Sequence, residues 1–419
     1  MFARHSRPLA CTFVALSLAA LNGAARADSD GDRERDRSRD RTVTVDCASG
    51  DTISRALTKG DERKSLTILI SGTCSESVTI NRSDIKLAAA APGATVSGPD
   101  PAVDTIRVTG SRVTIDGLTV TGGRNGITGD GAAGLIVQNA LVQGTGRTGI
   151  AYLHGASGIV DHVVVQNNTV RDGIAIESAY AAVINSQISL NGRHGIGVFD
   201  AGGARIGVDN ASNAAGNVIT GNTVNGIHIV FGSSAFIGMN QISGNGNPTG
   251  SGINLSSATA DIVGGNTITG NNGTGINLRS SSAVIGDANF GLTTVNTISG
   301  NGNPTSQGGI SGFLGSSMSI RDAIISSNVG FGLIATTRSS VAIQSSTIQN
   351  NVAFAPSTGD GIRLVFGSAL FASAPIGTVT GNAGFGLLCT DGESSVINTA
   401  LLGVGANAGG SISPACTGF

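Results

Sequence analysis

The chain reads as an all-β solenoid, one stack of coils built from short strands and tight turns. Three observations carry that reading. A Gly followed by an aliphatic residue recurs at Gly126, Gly149, Gly173, Gly195, Gly226, Gly252, Gly275, Gly309, Gly332, Gly361 and Gly386. Between those pairs lies a second signature, seen as Asn217-Val-Ile-Thr-Gly-Asn222, Asn266-Thr-Ile-Thr-Gly-Asn271 and Asn296-Thr-Ile-Ser-Gly-Asn301. The composition agrees: 64 Gly in 419 residues, only 12% charged residues and no Trp, with aliphatic residues throughout. That mixture is neither collagen-like nor disordered. It suits repeats in which each coil buries its apolar face on the next.

Taken in order, the chain opens on a targeting segment. Arg4 and Arg7 precede an apolar run, Leu9–Leu21, and Ala25-Arg26-Ala27 supplies a small-x-small cleavage site. This is the pattern of a secretory signal ending at Ala27, and its apolar run falls short of the roughly 20 residues that cross a bilayer. Residues 28–42 alternate in charge and predict a disordered tether. Its Asp28, Asp30 and Asp32 are spaced like the start of a calcium loop, but no Glu closes the loop. No metal site is expected there.

The solenoid is expected over 43–419. Thr42-Val43-Thr44-Val45 predicts a first strand, and Asp51–Leu57 a short helix with Asp51 as N-cap. Such a helix would cover the open apolar end of the stack. Strand-like runs follow at Leu66–Ile70, Val78–Ile80, Ile85–Leu87, Thr105–Val108, Val113–Ile115 and Leu118–Val120. From Gly126 the repeat is regular, with Gly-aliphatic pairs 22 to 34 residues apart. Like residues should then stack, Ile on Ile inside and Asn on Asn at the turns, at the strand separation of about 4.8 Å.

This combination of Gly-Ile-x-Leu and Asn-x-Ile-x-x-Asn resembles the right-handed parallel β-helix of the pectate lyase superfamily, over nearly everything after residue 42. The resemblance implies a glycan bound along one sheet face. Some lyases and epimerases of that layout carry an Asp-Pro-His-Asp/Glu run just after the Gly-aliphatic pair. No such run follows a Gly-Ile here, and the nearest string, Asp100-Pro-Ala-Val-Asp104, lies outside the regular repeat. No catalytic residue carries over from it.

Cys11 belongs to the signal. The other cysteines, Cys47, Cys74, Cys389 and Cys416, lie 27 residues apart in two pairs, close to one coil each. Residues one coil apart fall within disulfide reach, so Cys47–Cys74 and Cys389–Cys416 are expected to staple the two ends. A metal site built from all four would want Cys-x-x-Cys spacing, which is absent.

The ionisable residues concentrate on four coils. Arg124, Arg147, Arg171 and Arg193 each precede a Gly by two residues, and no other Arg occurs between Arg112 and Arg205. Stacked cations about 4.8 Å apart repel by about 1 kcal/mol per pair even in water. Such a column therefore suits an anion, and Arg matches carboxylates as a two-pronged donor. Its plain alternative is a row of solvated turn residues eased by Asp172 and Glu177.

Just past the Gly-Ile pairs come His154, Glu177 and Asp200 as candidate catalytic groups. His154 could abstract a proton beside a neutralised carboxylate, as a uronate lyase or epimerase requires, or stand as a surface turn histidine. Glu177 and Asp200 could form a glycosidase acid–base pair. His194, directly before its Gly, could join the Arg ridge. Tyr152 takes an inward strand position and is expected in the core, while His162 and His228 look incidental.

Two function classes follow. One is an exported enzyme on an acidic polysaccharide, a lyase or epimerase rather than a hydrolase. The other is a non-catalytic glycan-binding or surface β-helix, which the regular Asn/Ser/Thr surface after residue 250 suits. A net charge of −2 gives no reason to expect nucleic acid. No cofactor, metal or membrane insertion is expected, the destination is periplasmic or secreted, and the oligomeric state stays open.

Overall fold

The computed structural model describes residues 41–416, apart from 60–63, 287–293, 304–305, 356 and 376. The signal sequence, Cys11 and residues 28–40 of the charged stretch lie outside the described residues. The first strand, Arg41–Asp46, contains the expected Thr42–Val45 and pairs in parallel with Leu66–Ser71; Arg41, assigned to the tether from sequence, instead opens it.

Three parallel sheets of 15, 14 and 14 strands run along the stack, and each coil contributes one strand to each. Within these sheets each interior strand bonds to its counterparts one coil below and one above, so the register is the repeat itself. Ile127, Ile150, Ile174, Ile196 and Ile227 are successive partners and are fully buried. Alternation along each strand turns one set of side chains into the core and the other outward. Tyr152 follows the inward set: it is fully buried, its hydroxyl donating to the carbonyls of Leu135 and Ile159. Burial pushes its phenol well above the usual range.

The invariant Gly of the frame has a steric cause. A Cβ on Gly173 would stand 2.6 Å from Asn191 Nδ2 and 2.8 Å from the carbonyl oxygen of Gly195. The coil above leaves no room for a side chain. The Asn that crowds it belongs to a buried ladder, Asn168, Asn191, Asn222, Asn245, Asn271, Asn301, Asn328, Asn351, Asn382 and Asn407. Each donates Nδ2 to the Oδ1 of the next at 2.8–3.2 Å. A second ladder, Asn217, Asn240, Asn266 and Asn296, runs at 2.9–3.1 Å. Buried amides are costly unless paired, and stacking identical coils pairs them.

One corner bends the same way in coil after coil. His154, Ser178, Asp200, Phe231, Ser257, Ser280 and Leu314 all take the left-handed conformation, with φ between 47° and 57°. The residue just past the strand therefore points out of the stack, whatever its type.

At the N-terminal end, helix α1 (Ile53–Leu57) packs on the first coils. Its N-cap is Thr52 rather than Asp51: Thr52 is extended, and its Oγ1 accepts from Arg55 N at 3.2 Å. Asp51 turns back to accept from Asp46 N, while Glu76 of the next coil takes the amides of Ile53 and Ser54. The expected staples are present, Cys47–Cys74 and Cys389–Cys416, with Cα atoms 5.1 and 4.9 Å apart.

Candidate functional site

In the sheet that contains Ile150–Leu153, Ile174–Glu177 and Ile196–Phe199, the outward position after each Ile is small. Ala151, Ala175 and Gly197 are register partners, bounded by Thr128 below and His228 above. Small residues in line leave a trough. One rim is the arginine column, held by backbone bonds from Arg147 N to Arg124 O, Arg171 N to Arg147 O and Arg193 N to Arg171 O, at 2.7–3.2 Å. Across the trough stand Glu177, Phe199 and Asp200. The result is an open cleft of ≈ 410 Å³ lined by all four arginines together with Glu177 and Asp200.

The four guanidiniums divide into two kinds. Arg124 reaches one coil down to Asp104 at 2.9 and 3.2 Å, and Arg193 reaches one coil down to Asp172 at 2.8 and 2.5 Å. Both carboxylates are buried, and each also accepts from the backbone amide of the coil above, Asn125 N and His194 N. Arg193 lies over the Phe199 ring at 5.1 Å, and that ring covers Gly197. Under Arg147 and Arg171 the equivalent places hold Asn125 and Thr148, and no carboxylate pairs with either arginine among the described residues. The outer two arginines are thus tied into the wall, and the middle two face the trough unpaired.

The acidic groups also sort themselves. Glu177 and Asp200 face the cleft, and neither carboxylate forms an ion pair among the described residues. His154 does not line the cleft. It shares its left-handed corner with Asp200, yet it is exposed and held on Asp130, with Nδ1 2.7 Å from Asp130 Oδ1. Asp130 also holds Arg107, and the His154 hydrogen bond keeps its carboxyl below the usual range.

His194 departs furthest from the sequence reading. It is buried, 5% exposed, and stacks on His228 with ring centroids 4.1 Å apart. His194 is not among the residues that line the cleft, because the His228 ring of the next coil stacks on it. Asn225 donates to Nδ1 of both rings, and Asn254 to that of His228. Burial, with the neighbouring His228 and Arg193, brings the His194 pKa down to about 2. Burial and then Arg193 bring His228 to about 4. Neither imidazole carries a proton near neutrality. Among the described residues, no three of His, Cys, Asp and Glu gather as metal ligands, and no helix is long and apolar enough to cross a membrane.

Against known families, the model described as a right handed beta helix region matches residues 68–212, 104–246 and 172–291, which together span more than half the chain. The chain belongs to the right-handed β-helix family. No curated protein matches it. Among solved β-helices, the A-module of the Azotobacter vinelandii mannuronan C-5 epimerase AlgE6 has a TM-score of 0.52 at 13% identity, covering 86% of this chain and 92% of its own. The Dettilon tailspike protein has a TM-score of 0.53 at 13% identity, over 84% and 69%. The catalytic unit of an α-1,3-glucanase from Streptomyces thermodiastaticus has 0.53 at 13%, over 84% and 68%. At such identity the likeness is one of fold.

Within this β-helix, Asp104 and Asp130 are the site neighbours that the sequence reading missed. Asp104 had a usable signal: it stands in the column before the Gly, one coil below Arg124, as Asp172 stands below Arg193. Asp130 had none, because its role depends on His154 being bent toward it from the next coil.

Proposed function

We propose that this chain is an exported carbohydrate-binding β-helix whose cleft takes an acidic polysaccharide. One observation carries the reading: Arg147 and Arg171, on adjacent coils, line an open trough and, among the described residues, no carboxylate is paired with either. Two such cations are favourable beside a ligand that brings carboxylates at a short repeat, and each guanidinium offers the fork such a carboxylate fits. Glu177 and Asp200 opposite them can accept from sugar hydroxyls. Two of the fold neighbours are named for polysaccharide chemistry, the mannuronan epimerase and the α-1,3-glucanase, which supports a carbohydrate ligand. The leader pattern and the two disulfides fit an oxidising compartment, the periplasm or the exterior.

The test is binding of a polyuronate panel to the wild type and to Arg147→Ala with Arg171→Ala. Wild-type affinity should fall as salt rises, and the double variant should lose at least about tenfold, or about 1.4 kcal/mol. Equal binding by both proteins would remove the proposal.

A second reading, turnover by lyase or epimerase chemistry, is favoured by the two unpaired carboxylates in the cleft. Glu177 or Asp200, rather than His154, would then take the proton beside a carboxylate held by Arg147 or Arg171. Ultraviolet absorbance of an unsaturated product and NMR of epimerised residues test it on the same panel. His154→Ala should leave binding intact. A polyuronate that binds and returns unchanged would leave the binding role alone.

A further inference from the structure

A second cleft, of ≈ 380 Å³, lies on a different face, across the 15-stranded sheet. Two outward columns build it. In the first, Tyr180, Gly203, Ser234, Thr259 and Ser282 are successive register partners. In the second, Arg205, Phe236 and Asp261 are register partners on the coils beside Gly203, Ser234 and Thr259.

The side chains are arranged unevenly. The Tyr180 ring leans over Gly203, where a Cβ would come within 3.2 Å of it, so the missing side chain seats the ring. The ring nevertheless stays 41% exposed. Arg205 is fixed rather than free: its guanidinium stacks over Phe236 at 4.7 Å, donates to Asp209 O at 3.0 Å and donates to Ser212 Oγ at 3.2 Å. Asp261 is exposed and forms no ion pair among the described residues. The hydroxyls of Ser234, Thr259 and Ser282 make no hydrogen bond among them either, and they recur at the rung spacing of about 4.8 Å.

We infer that this face is a second carbohydrate site, one for a neutral glycan strand lying along the stack with a sugar ring on Tyr180. An exposed aromatic with a polar tip presents a flat apolar surface to a sugar's C–H face. Three idle hydroxyls in a row, with Asp261 as acceptor and Arg205 as fixed donor, match a ligand whose own hydroxyls repeat. Arg205 and Asp261 cancel in charge, which separates this cleft from the one bearing Arg147 and Arg171. The site is independent of the acidic-polysaccharide reading and stands or falls separately.

The composition supplies its own probe. The chain has no Trp and two Tyr, of which Tyr152 is fully buried, so Tyr152→Phe leaves Tyr180 as the sole tyrosine reporter. Titration of that variant with neutral cello-, laminari-, xylo- and manno-oligosaccharides, followed by tyrosine fluorescence and ring NMR signals, should give saturable change with at least one series. Tyr180→Ala and Asp261→Asn in the wild-type background, checked for unchanged melting, should each weaken that binding by about tenfold in calorimetry. Arg147→Ala with Arg171→Ala should leave it unchanged. No response from any of the four series, or equal binding by Tyr180→Ala, overturns the inference. Loss of neutral binding in the double arginine variant overturns it too, by moving the ligand to the first cleft. A Tyr180 signal that responds only to acidic oligosaccharides does the same.

Discussion

Coils 124–200 and coils 217–301 share one interior and differ outside. The buried Asn ladder runs through both, and Gly precedes Ile in each coil of either region. Outside, the column before the Gly reads Asn125, Thr148, Asp172 and His194 in the first region, and Asn225, Ser251 and Thr274 in the second. The floor beside it is Ala151, Ala175 and Gly197 in the first, and His228, Asn254 and Asn277 in the second. Asn277 donates to Asn254, which donates to His228, so the later coils close their surface with their own hydrogen bonds. The earlier coils leave theirs open. A solenoid of this kind separates what holds it together from what it presents, because inward and outward positions alternate along the same strand.

The largest effect that should break this separation is Asp172→Ala. It leaves Arg193 and the amide of His194 facing a buried gap, and breaking a buried pair costs about 3–5 kcal/mol. With Arg193 still 31% exposed, the lower part of that range is expected in urea unfolding. A loss below about 0.5 kcal/mol would show that the wall does not depend on the pair.

Next in size is Asn271→Ala in the regular region. It removes the acceptor of Asn245 and the donor to Asn301 and to Ile242 O. At roughly 1–3 kcal/mol for each buried group left unpaired, a total of about 3 kcal/mol is expected. Equal stability to the wild type would mean that the ladder is incidental.

Acidification should act at the seam between the two regions, through His194 and His228. Both are neutral in the folded chain, with pKa values of about 2 and about 4 against 6.5 when free. The unfolded chain therefore binds more protons below pH 6.5, and stability rises with pH there. Falling from pH 6.5 to 5 should cost about 1.5 kcal/mol from His228 alone. Carboxylates held low, such as Asp130, act only further down. His228→Asn should flatten the slope of urea midpoint against pH between 6.5 and 5. An unchanged slope would place the acid response elsewhere.

The smallest expected effect on stability is that of Arg147→Ala with Arg171→Ala. Neither side chain has a hydrogen-bond or ion-pair partner among the described residues, so unfolding should shift by no more than about 0.5 kcal/mol. A drop of 2 kcal/mol or more would make the open rim part of the frame and dissolve the contrast.

The fold was legible because its causes repeat. Every Gly of the frame meets the same crowding from the coil above, and every ladder Asn meets the same neighbour, so periodicity alone exposes them. The arginine column was legible for the same reason. Its division was not, since whether Arg147 or Arg193 finds a carboxylate depends on the single residue beneath it, Asn125 or Asp172. His194 could be placed only by knowing that the ring of His228, one coil on, stacks over it. His154 could be placed only by knowing that Asp130, one coil below, stands within hydrogen-bond reach of it. Asp51 lost the N-cap to Thr52 by one residue because Glu76, 25 positions later in the chain, took over the neighbouring amides.

The two disulfides bear on how the molecule can be dismantled. In a stack, an interior coil has neighbours on both sides and an end coil has one, so loosening should start at the ends. Both ends carry a covalent loop, at Cys47–Cys74 and at Cys389–Cys416. Peeling is thereby blocked where it is cheapest, and a protease must wait for a rupture in the middle, where two interfaces fail together. Reduction should therefore shorten the lifetime against digestion far more than it lowers the unfolding midpoint of the central coils.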